Sequence, residues 1–316
     1  MAAPRSFQEL RDRARAGTPA PVAVVGAESD TALRAVAAAA RDGFARPVLV
    51  GDEPRVRAAI RDADLDGLDN ARFVHVEAPA DDSDRDRAAS ETARAAVALA
   101  RNGEVGVLLK GALRTDQLLR SALDRDRGLR TDRLLSDVLI YEDTLSGETR
   151  LVGCTDGGIN PAPDAEALKQ IVANAVEVFR ALGWERPRVA LLSATEAVTE
   201  SVPSTVNARA VADWAADALP DADVAGPLAL DNALLVSAAE AKGITGPVAG
   251  RADIMVTPSI EAGNILGKGV KYLGGSITAH VVVGARVPIL IPSRVESAED
   301  KLHSIALGVL AAGMQI

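Results

Sequence analysis

The sequence predicts an α/β protein of two domains, each with a mainly parallel sheet, on the strength of three observations. Short Val-, Ile- and Leu-rich runs alternate with longer Ala-rich amphipathic segments along the chain. With 316 residues and 48% hydrophobic content, the chain exceeds the usual size of one compact domain. An Arg/Asp-rich stretch from Asp124 to Arg133 interrupts the alternation, and it marks the predicted passage between the domains.

The N-terminal segment and the four runs after it account for the first part of this pattern. The segment MAAPRSFQELRDRARAG alternates charged and apolar residues, which predicts a short surface helix. The runs are PVAVVGA at 21, PVLVGD at 47, ARFVHVEA at 71 and VGVLLKG at 105, each followed by a helical pattern. Strands that alternate with helices form βαβ units, so these four predict a buried parallel sheet.

The second half of the chain continues the alternation with six further runs. They are VLIYED at 138, RLVGCTD at 150, PRVALLSA at 187, ADIMVTP at 252, HVVVGA at 280 and VPILIP at 287. Helical patterns cover residues 165–182 and 297–312. No apolar run approaches the ~20 residues that a membrane-spanning helix needs, so we expect no membrane partner.

Composition narrows the class of function. The net charge of -9 and the aromatic content of 3% argue against a nucleic-acid partner, which would favour a basic surface and stacking platforms. The single cysteine, Cys154, cannot form an internal disulfide, and no Cys/His cluster with metal-ligand spacing is present. The N-terminus lacks the apolar stretch of a signal peptide. We therefore predict a cytoplasmic protein without a metal site.

The segment IPSRVESAEDKL, from Ile291 to Leu302, leads from an apolar strand directly into a helix. Ligands of open α/β sheets bind at such strand ends. Ser293 and Arg294 follow the strand, where a hydroxyl and a guanidinium near helix amides suit a phosphate-sized anion. Ser297 and Asp300 have the spacing of a capping box, so spacing alone gives Asp300 a structural role in the first helical turn.

A second candidate site lies where the strand at 105 meets its helix, in the segment KGALRT. Thr115 is placed to cap that helix, while Arg120 need not share a face with Thr115 and can equally be a solvated cation. The arginines that follow either meet nucleotide phosphates or form an ion-pair surface with the interleaved aspartates. These arginines are Arg125, Arg127, Arg130 and Arg133.

Several familiar motifs are absent. The segment from Gly263 to Gly269 has one residue too few for a P-loop and lacks the hydroxyl residue after its lysine, and no G-x-G-x-x-G follows the first strand. The three histidines, His75, His280 and His303, fall in predicted strands or a helix. None pairs visibly with Cys154 or a serine, so the sequence does not support a nucleophile–base pair.

From about Val105 to the C-terminus, two thirds of the chain, ordered segments carry a family resemblance. They read LLKGALRTDQLLR, RGLRTDRLLSDV, CTDGGINPAPD, VPSTVNARA, GPLALDNAL, KGITGPVAGRADIMVTPSIEAGNIL, VVVGARVPILIPSR and SAEDKLHSIALGVLA. In these segments the chain resembles the phosphate acetyltransferase/phosphate butyryltransferase family, nearer the butyryl branch. The first hundred residues match only in pattern.

The resemblance implies a two-domain α/β subunit, similar to the isocitrate/isopropylmalate dehydrogenase architecture, with the active site in an interdomain cleft. Residues 1–132 and 280–316 would form a discontinuous domain 1, and residues 133–279 domain 2. The implied partners are acyl-CoA or CoA and phosphate or acyl phosphate. Because these are substrates, no cofactor is expected. The family also implies a homo-oligomer, at least a homodimer.

The resemblance implies transfer of a butyryl or acetyl group between CoA and phosphate by direct thiol attack in a ternary complex. Asp300 would be the general base, Ser293 would hydrogen-bond the reacting carbonyl or departing phosphate, and Arg294 would hold phosphate charge. The implied substrate-binding residues are Thr115, Arg120, Lys271, Glu261 and Asn264. At Lys271 the acetyl-specific relatives carry arginine, so a bidentate fork is lost here.

Three further polar residues of these motifs, Asp156, Asn160 and Asp231, either support the cleft or serve as scaffold. Two alternative functions remain open at this point. A metal- and nicotinamide-dependent decarboxylating dehydrogenase of the same architecture would need clustered aspartates and a cofactor loop, and neither is found. A catalytically silent acyl-CoA-binding protein would not need Ser293, Arg294 and Asp300 together.

Overall fold

The computed structural model describes residues 3–78, 84–145, 147–293 and 295–314. The described parts of Leu10–Arg133 and Ala279–Ile316 form one compact unit, called the first unit below. Those of Met1–Glu9 and Leu134–Thr278 form the second unit. That these units are independently folding domains with the boundaries predicted from the sequence stays a prediction.

Strands and helices alternate along the chain as the apolar runs predicted. The strands are β1 (Ala20–Val25), β2 (Ala45–Gly51), β3 (Arg72–His75), β4 (Val107–Lys110), β5 (Ser136–Asp143), β6 (Arg150–Thr155), β7 (Arg188–Leu192), β8 (Asp223–Leu228), β9 (Ile254–Val256), β10 (Thr278–Val283) and β11 (Ile289–Leu290). The helices are α1 (Phe7–Arg15), α2 (Asp30–Arg41), α3 (Glu53–Asp62), α4 (Arg85–Arg101), α5 (Thr115–Ala122), α6 (Ala165–Ala181), α7 (Pro203–Ala218), α8 (Leu230–Leu234), α9 (Val236–Ala241), α10 (Ile260–Lys268) and α11 (Ala298–Ala311). A π-helical turn, Gly269–Leu273, follows α10.

The sheet of the first unit has the strand order β3-β2-β1-β4-β11-β10. All its neighbours pair in parallel except β10 and β11, which are antiparallel. In register, Val25 of β1 lies beside Lys110 of β4, and Leu109 lies beside Leu290 of β11. Since parallel strands end at the same edge, the segments that follow β1, β4 and β11 all begin together at the carboxyl edge of this sheet.

The sheet of the second unit has the order β5-β6-β9-β7-β8, with β5 antiparallel to β6 and the other pairs parallel. Its core is mainly aliphatic, with Tyr141 and Phe179 among the buried side chains. Each of the ten apolar runs identified in the sequence contains a strand, which confirms the α/β prediction. β8 was missed, because its first four residues are only half-buried and carry no apolar run.

The predicted N-terminal surface helix is present as α1, and one of its faces is buried. Leu10 and Ala14 are fully buried, and Arg11 and Arg15 both contact the Asp42 carboxylate, at 2.5 and 2.7 Å. Leu10 and Ala14 thus belong to the core of the first unit, and the two basic side chains bind Asp42 at the end of α2. In the described part of the chain, no helix is both long and apolar enough to cross a membrane.

Candidate active site

A cavity of about 430 Å³, called the lysine cavity below, opens at the carboxyl edge of the first unit's sheet. It lies beside the N-terminus of α2, the first turns of α4 and α5, the end of β4 and the segment after β11. The described residues that line it are Ser29, Thr31, Arg85, Asp86, Ala89, Lys110, Gly111, Ala112, Leu113, Arg114, Gln117, Ser293 and Lys301. Helix N-termini and basic side chains at a strand edge form an anion-binding environment.

At Gly111, which lines this cavity, the backbone of the turn after β4 closely approaches Gly26 in the turn after β1. Gly111 N donates to Val25 O at 2.8 Å, and Ala112 N donates to Gly26 O at 2.7 Å. A Cβ on Gly111 would collide with the carbonyl oxygen of Gly26, and Gly26 itself has φ +73°. The turn after β4 therefore reaches the turn after β1 only because neither residue carries a side chain.

Ser293 lines the lysine cavity, as the strand-end prediction requires. Hydrogen bonds to Glu296 hold the segment that carries Ser293 in place. The Ser293 backbone N–H donates to Glu296 Oε1 at 3.1 Å, and Lys301 Nζ donates to Glu296 O at 2.6 Å. Glu296 and Lys301 are both almost completely buried. Arg294, the remaining residue predicted for this segment, lies outside the described residues.

Asp300 occupies the first turn of α11 and forms the capping box that its spacing predicted. Asp300 Oδ2 accepts from Ser297 N at 3.0 Å and from Ser297 Oγ at 2.7 Å, while Asp300 N donates to Ser297 Oγ at 3.1 Å. The carboxyl group is buried, and Asp300 is not among the described residues that line the lysine cavity. Its neighbour Lys301 does line it.

Two lysines line this cavity as further functional candidates: Lys110, the first residue of the KGALRT candidate segment, and Lys301, which the sequence analysis did not single out. They are 5% and 3% exposed, and both line the lysine cavity. The available signal at Lys110 was a lysine that ends an apolar strand, VLLK, where a partly exposed residue is expected. At Lys301 the only signal was its place beside Asp300, on a helix whose first turn is otherwise acidic.

Arg120 lies in a different cavity, called the arginine cavity below, which has about 840 Å³. It is bounded by α4, α5 and the turn after α5, and it shares Asp86, Arg114 and Gln117 with the lysine cavity. Its described basic residues are Arg94, Arg101, Arg114, Arg120 and Arg127. Arg120 is largely exposed, and its nearest carboxylate contact is Asp116 at 3.6 Å.

Thr115 does not cap α5, contrary to the expectation from its position. The N-cap residue is Arg114, whose backbone N–H donates to Gln117 Oε1 at 2.9 Å. Thr115 is instead the first residue of the helix and is half-buried. The observed cap lies one residue before the predicted one, because the Gln117 side chain, and not a threonine hydroxyl, accepts the hydrogen bond from the Arg114 N–H.

The structure gives two of the arginines after α5 different surroundings, and whether they bind nucleotide phosphates or form ion pairs stays a prediction. Arg127 lines the arginine cavity, whereas Arg130 forms an isolated backbone bridge with Ala285. Asp124 shapes the turn that leads to Arg127, because its Oδ1 accepts from Asp126 N at 3.0 Å and from Arg127 N at 2.8 Å. These two backbone N–H groups lower the pKa of Asp124 below its usual range.

Glu261, Asn264 and Lys271 all lie in the second unit, on and just after α10. Glu261 is in the first helical turn, where backbone N–H and the Ser259 hydroxyl lower the pKa of its carboxyl. Asn264 Nδ2 donates to Gly157 O at 3.2 Å, and Lys271 Nζ donates to Thr278 Oγ1 at 3.2 Å. Glu261 and Asn264 are exposed and Lys271 is half-buried, so all three side chains reach the surface of this unit.

The TDGGIN motif acts as scaffold. The Asp156 carboxylate accepts backbone bonds from Gly158 and Ile159, both at 2.9 Å, and a side-chain bond from Asn160 Nδ2 at 2.5 Å. Burial and the Asp137 charge nevertheless raise the pKa of Asp156. Asp231, by contrast, is exposed and lies 3.5 Å from Lys242. These hydrogen bonds fit the scaffold interpretation of Asp156 and Asn160, and their contact with a ligand stays a prediction.

Cys154 is buried in β6 and is not placed to act as a nucleophile. Burial, reinforced by the charges of Asp137 and Asp156, raises the pKa of its thiol to about 12, so the reactive thiolate is suppressed at neutral pH. Through the ranges 3–78, 84–145, 147–293 and 295–314, no group of three or more His, Cys, Asp or Glu side chains is arranged to hold a metal ion.

Comparison with known proteins places these features in a family. The model of the family described as "Phosphate acetyl/butaryl transferase" matches residues 80–309. A phosphate acetyltransferase of Rhizobium meliloti is 39% identical over 98% of this chain and 95% of its own length. A phosphate butyryltransferase of Clostridium beijerinckii is 34% identical, with 98% of each chain covered.

Solved structures agree with the sequence matches. The crystal structure of a branched-chain phosphotransacylase from Enterococcus faecalis V583 superposes with a TM-score of 0.78 at 30% identity, covering 94% of this chain and 100% of that one. A 4-hydroxythreonine-4-phosphate dehydrogenase from Burkholderia phymatum gives a TM-score of 0.55 at 15% identity, covering 93% of this chain and 99% of that one. The second likeness concerns the fold alone and confirms the predicted dehydrogenase-like architecture.

Proposed function

The chain belongs to the phosphate acetyl/butyryl transferase family. We propose that this acyltransferase transfers an acyl group between CoA and inorganic phosphate, and that the reaction takes place at the lysine cavity. The observation that carries the proposal is the convergence of Ser293, Lys110 and Lys301 on one cavity, with the capped Asp300 next in sequence to Lys301. A cavity that combines a hydroxyl, buried ammonium groups and helix N-termini suits a phosphoryl or acyl-phosphate group.

The proposed reaction is a direct transfer in a ternary complex. The CoA sulfur attacks the acyl carbonyl carbon of the acyl phosphate, the C–S bond forms, and the C–O bond to phosphate breaks so that phosphate leaves. On the family resemblance, the thiol proton is proposed to pass to the Asp300 carboxylate, since a thiol pKa of ~8.5 leaves little thiolate at neutral pH without a base. Ser293 donates to the carbonyl or the departing phosphate oxygen, and Arg294 neutralises its charge.

The nucleotide end of CoA is proposed to bind in the arginine cavity, which contains Arg120 and adjoins the lysine cavity through three shared residues. Guanidinium groups match phosphate geometry, and several of them can neutralise the phosphates of CoA. Thr115, at the start of α5, is a proposed contact to the same substrate. Glu261, Asn264 and Lys271 are proposed substrate contacts on the family resemblance alone.

Four finer properties are also part of the proposal. The acyl group is butyryl or acetyl, no cofactor takes part because CoA and phosphate are both substrates, the protein is cytoplasmic, and it is a homodimer. The buried lone Cys154 is compatible with a reducing compartment. Multi-angle light scattering of the purified chain tests the dimer, and a monomeric mass would contradict it.

The main experiment measures free CoA thiol released from acetyl-, butyryl- and isobutyryl-CoA, with and without inorganic phosphate. Phosphate-dependent release with stoichiometric acyl phosphate is expected, and the ratio of kcat/KM values identifies the preferred acyl group. Absence of release with every acyl-CoA, despite measurable CoA binding, would favour a silent acyl-CoA-binding protein.

A second measurement separates direct transfer from a covalent acyl-enzyme. Labelled CoA is incubated with acyl-CoA in the absence of phosphate. Direct transfer predicts no exchange of label into acyl-CoA, because the acyl group leaves its thioester only for phosphate. Exchange without phosphate would show that the protein itself accepts the acyl group.

A further inference from the structure

The lysine cavity has an unusual charge for this chain. Its described lining contains four basic side chains, Arg85, Lys110, Arg114 and Lys301, and one carboxylate, Asp86, in a protein of net charge -9. Asp86 is already in contact with Arg114 Nη1 at 3.1 Å and with Gln117 Nε2 at 3.0 Å. The carboxylate is therefore engaged at the side of the cavity that adjoins the arginine cavity.

The two lysines differ from the two arginines in burial. Arg85 and Arg114 are exposed at the rim, whereas Lys110 and Lys301 are 5% and 3% exposed. Removing an ammonium group from water costs several kcal/mol unless hydrogen bonds and opposite charge offset the loss. Lys301 already donates to the Glu296 carbonyl, and the positive charge of both lysines would attract a dianionic phosphoryl group bound in the cavity.

Each lysine lies on a regular secondary-structure element and not on a loop. Lys110 is the last residue of β4, and its register beside Val25 fixes its Cα within the sheet. Lys301 is in the first turn of α11, and its Nζ bond to Glu296 O fixes the ammonium group at 2.6 Å from the segment that carries Ser293. Two rigid elements thus place both lysines along one cavity that Ser293 also lines.

We propose that Lys110 and Lys301 form the phosphate subsite of the transferase: they bind inorganic phosphate and the phosphoryl group of the acyl phosphate beside Ser293. This inference rests on the proposed function and assigns its phosphate specificity to two residues. The lysines contribute to phosphate binding and to stabilising the leaving phosphate, and they leave the CoA nucleotide to the arginine cavity. Because the lysines would bind phosphate through their positive charge, the decisive substitution is one that removes the charge and keeps the size of the side chain.

The test compares Lys110→Met and Lys301→Met with Lys110→Arg, which keeps the charge, and with Arg46→Met. Arg46 is an exposed residue of β2 outside the described lining of both cavities, so this control removes one positive charge elsewhere in the same unit. Because Lys301 also donates to Glu296 O, Lys301→Gln is included as a variant whose amide can retain that bond. Circular dichroism and melting temperature establish that each variant folds.

The expected result is a KM for phosphate about 10- to 100-fold higher in the two methionine variants, with a KM for acyl-CoA within about twofold of wild type. Lys110→Arg is expected to recover most of the phosphate affinity, and Arg46→Met to match wild type. An unchanged phosphate KM in folded Lys110→Met, or an equal rise in both KM values, would overturn the proposal.

Binding of inorganic phosphate, followed by ³¹P line broadening or calorimetry, keeps this inference separable from the proposed function. If the wild type released no thiol from any acyl-CoA, the transferase reaction would fail, yet phosphate binding that is lost in Lys110→Met would still support the subsite. Phosphate binding that is equal in wild type, Lys110→Met and Lys301→Gln would reject the subsite even in an active enzyme.

Discussion

Ser297 and Asp300 cap the first turn of α11 reciprocally, through one hydroxyl that both donates to the Asp300 carboxylate at 2.7 Å and accepts from the Asp300 amide at 3.1 Å. The same carboxylate also accepts the Ser297 backbone N–H at 3.0 Å. A proposed catalytic base is therefore held by the structural motif that its spacing predicted. The capping role fixes the orientation of the carboxylate, so the structural and catalytic interpretations are compatible.

Replacing Asp300 by Asn separates these two roles. The amide oxygen of Asn can still accept from Ser297, so the melting temperature should change little, while loss of the base should lower kcat by about 10²- to 10⁴-fold. Ser297→Ala is the matched control, because it removes the hydroxyl of the cap and keeps the carboxylate. It should cost about 1 kcal/mol of stability and reduce kcat far less. Equal kcat losses in the two folded variants would contradict a base role for Asp300.

Gly111→Ala should damage the lysine cavity, which Gly111 lines. The new Cβ would collide with Gly26 O, which is backbone and accepts the Ala112 N–H, so the two turns must separate at a cost of about 1–3 kcal/mol. Urea unfolding and phosphate titration measure the two effects. Gly106→Ala is the control, since a Cβ there would lie 4.0 Å from its nearest neighbour, Pro21 O. Similar stabilities of the two variants would contradict the close approach.

Stability should fall as the pH drops from about 6.5 toward 4, in part through His303 on α11. Burial, with a smaller contribution from Arg11, lowers the pKa of His303 from its usual 6.5 to about 4, against the opposing charge of Asp300. The unfolded chain therefore binds the proton first, so this contribution is complete above pH 6.5 and is lost through the window down to pH 4. Its upper size is about 3 kcal/mol.

Urea unfolding of wild type and His303→Gln between pH 7 and pH 5 checks this assignment. The variant should lose part of the pH dependence of the unfolding free energy, whatever its stability at pH 7. Parallel curves for wild type and His303→Gln would remove His303 from the acid response.

Cys154 should be unreactive in the folded protein and dispensable for turnover. Its thiol is 2% exposed and its pKa is raised to about 12 by burial, so alkylation by iodoacetamide should become measurable only on unfolding in urea. Cys154→Ala should retain kcat within about twofold, with a loss of about 1–2 kcal/mol of stability from the lost packing. A folded Cys154→Ala protein without activity would indicate a thioester intermediate and contradict direct transfer.

The strands and the cap of α11 were predictable because their signals are local. An apolar run such as VAVV at β1 must be buried wherever it lies, and the alternation with amphipathic helices specifies a parallel sheet. The capping box spans Ser297 to Asp300 and needs no tertiary information. The cap of α5 was wrongly assigned to Thr115. The N-cap is Arg114, whose backbone N–H donates to Gln117 Oε1, and this bond is as local as the one expected from Thr115.

The sequence by itself determined the α/β class, the strand-end position of Ser293 and the capped position of Asp300, since hydrophobic periodicity and capping act over a few residues. Only the tertiary structure decided that Lys110 and Lys301 share one cavity, because their proximity depends on the order β1-β4-β11, which brings together carboxyl ends far apart in the chain. A lysine at a strand end has the same local signature whether it is solvated or buried. Its burial is determined by the helices and turns that pack around that edge.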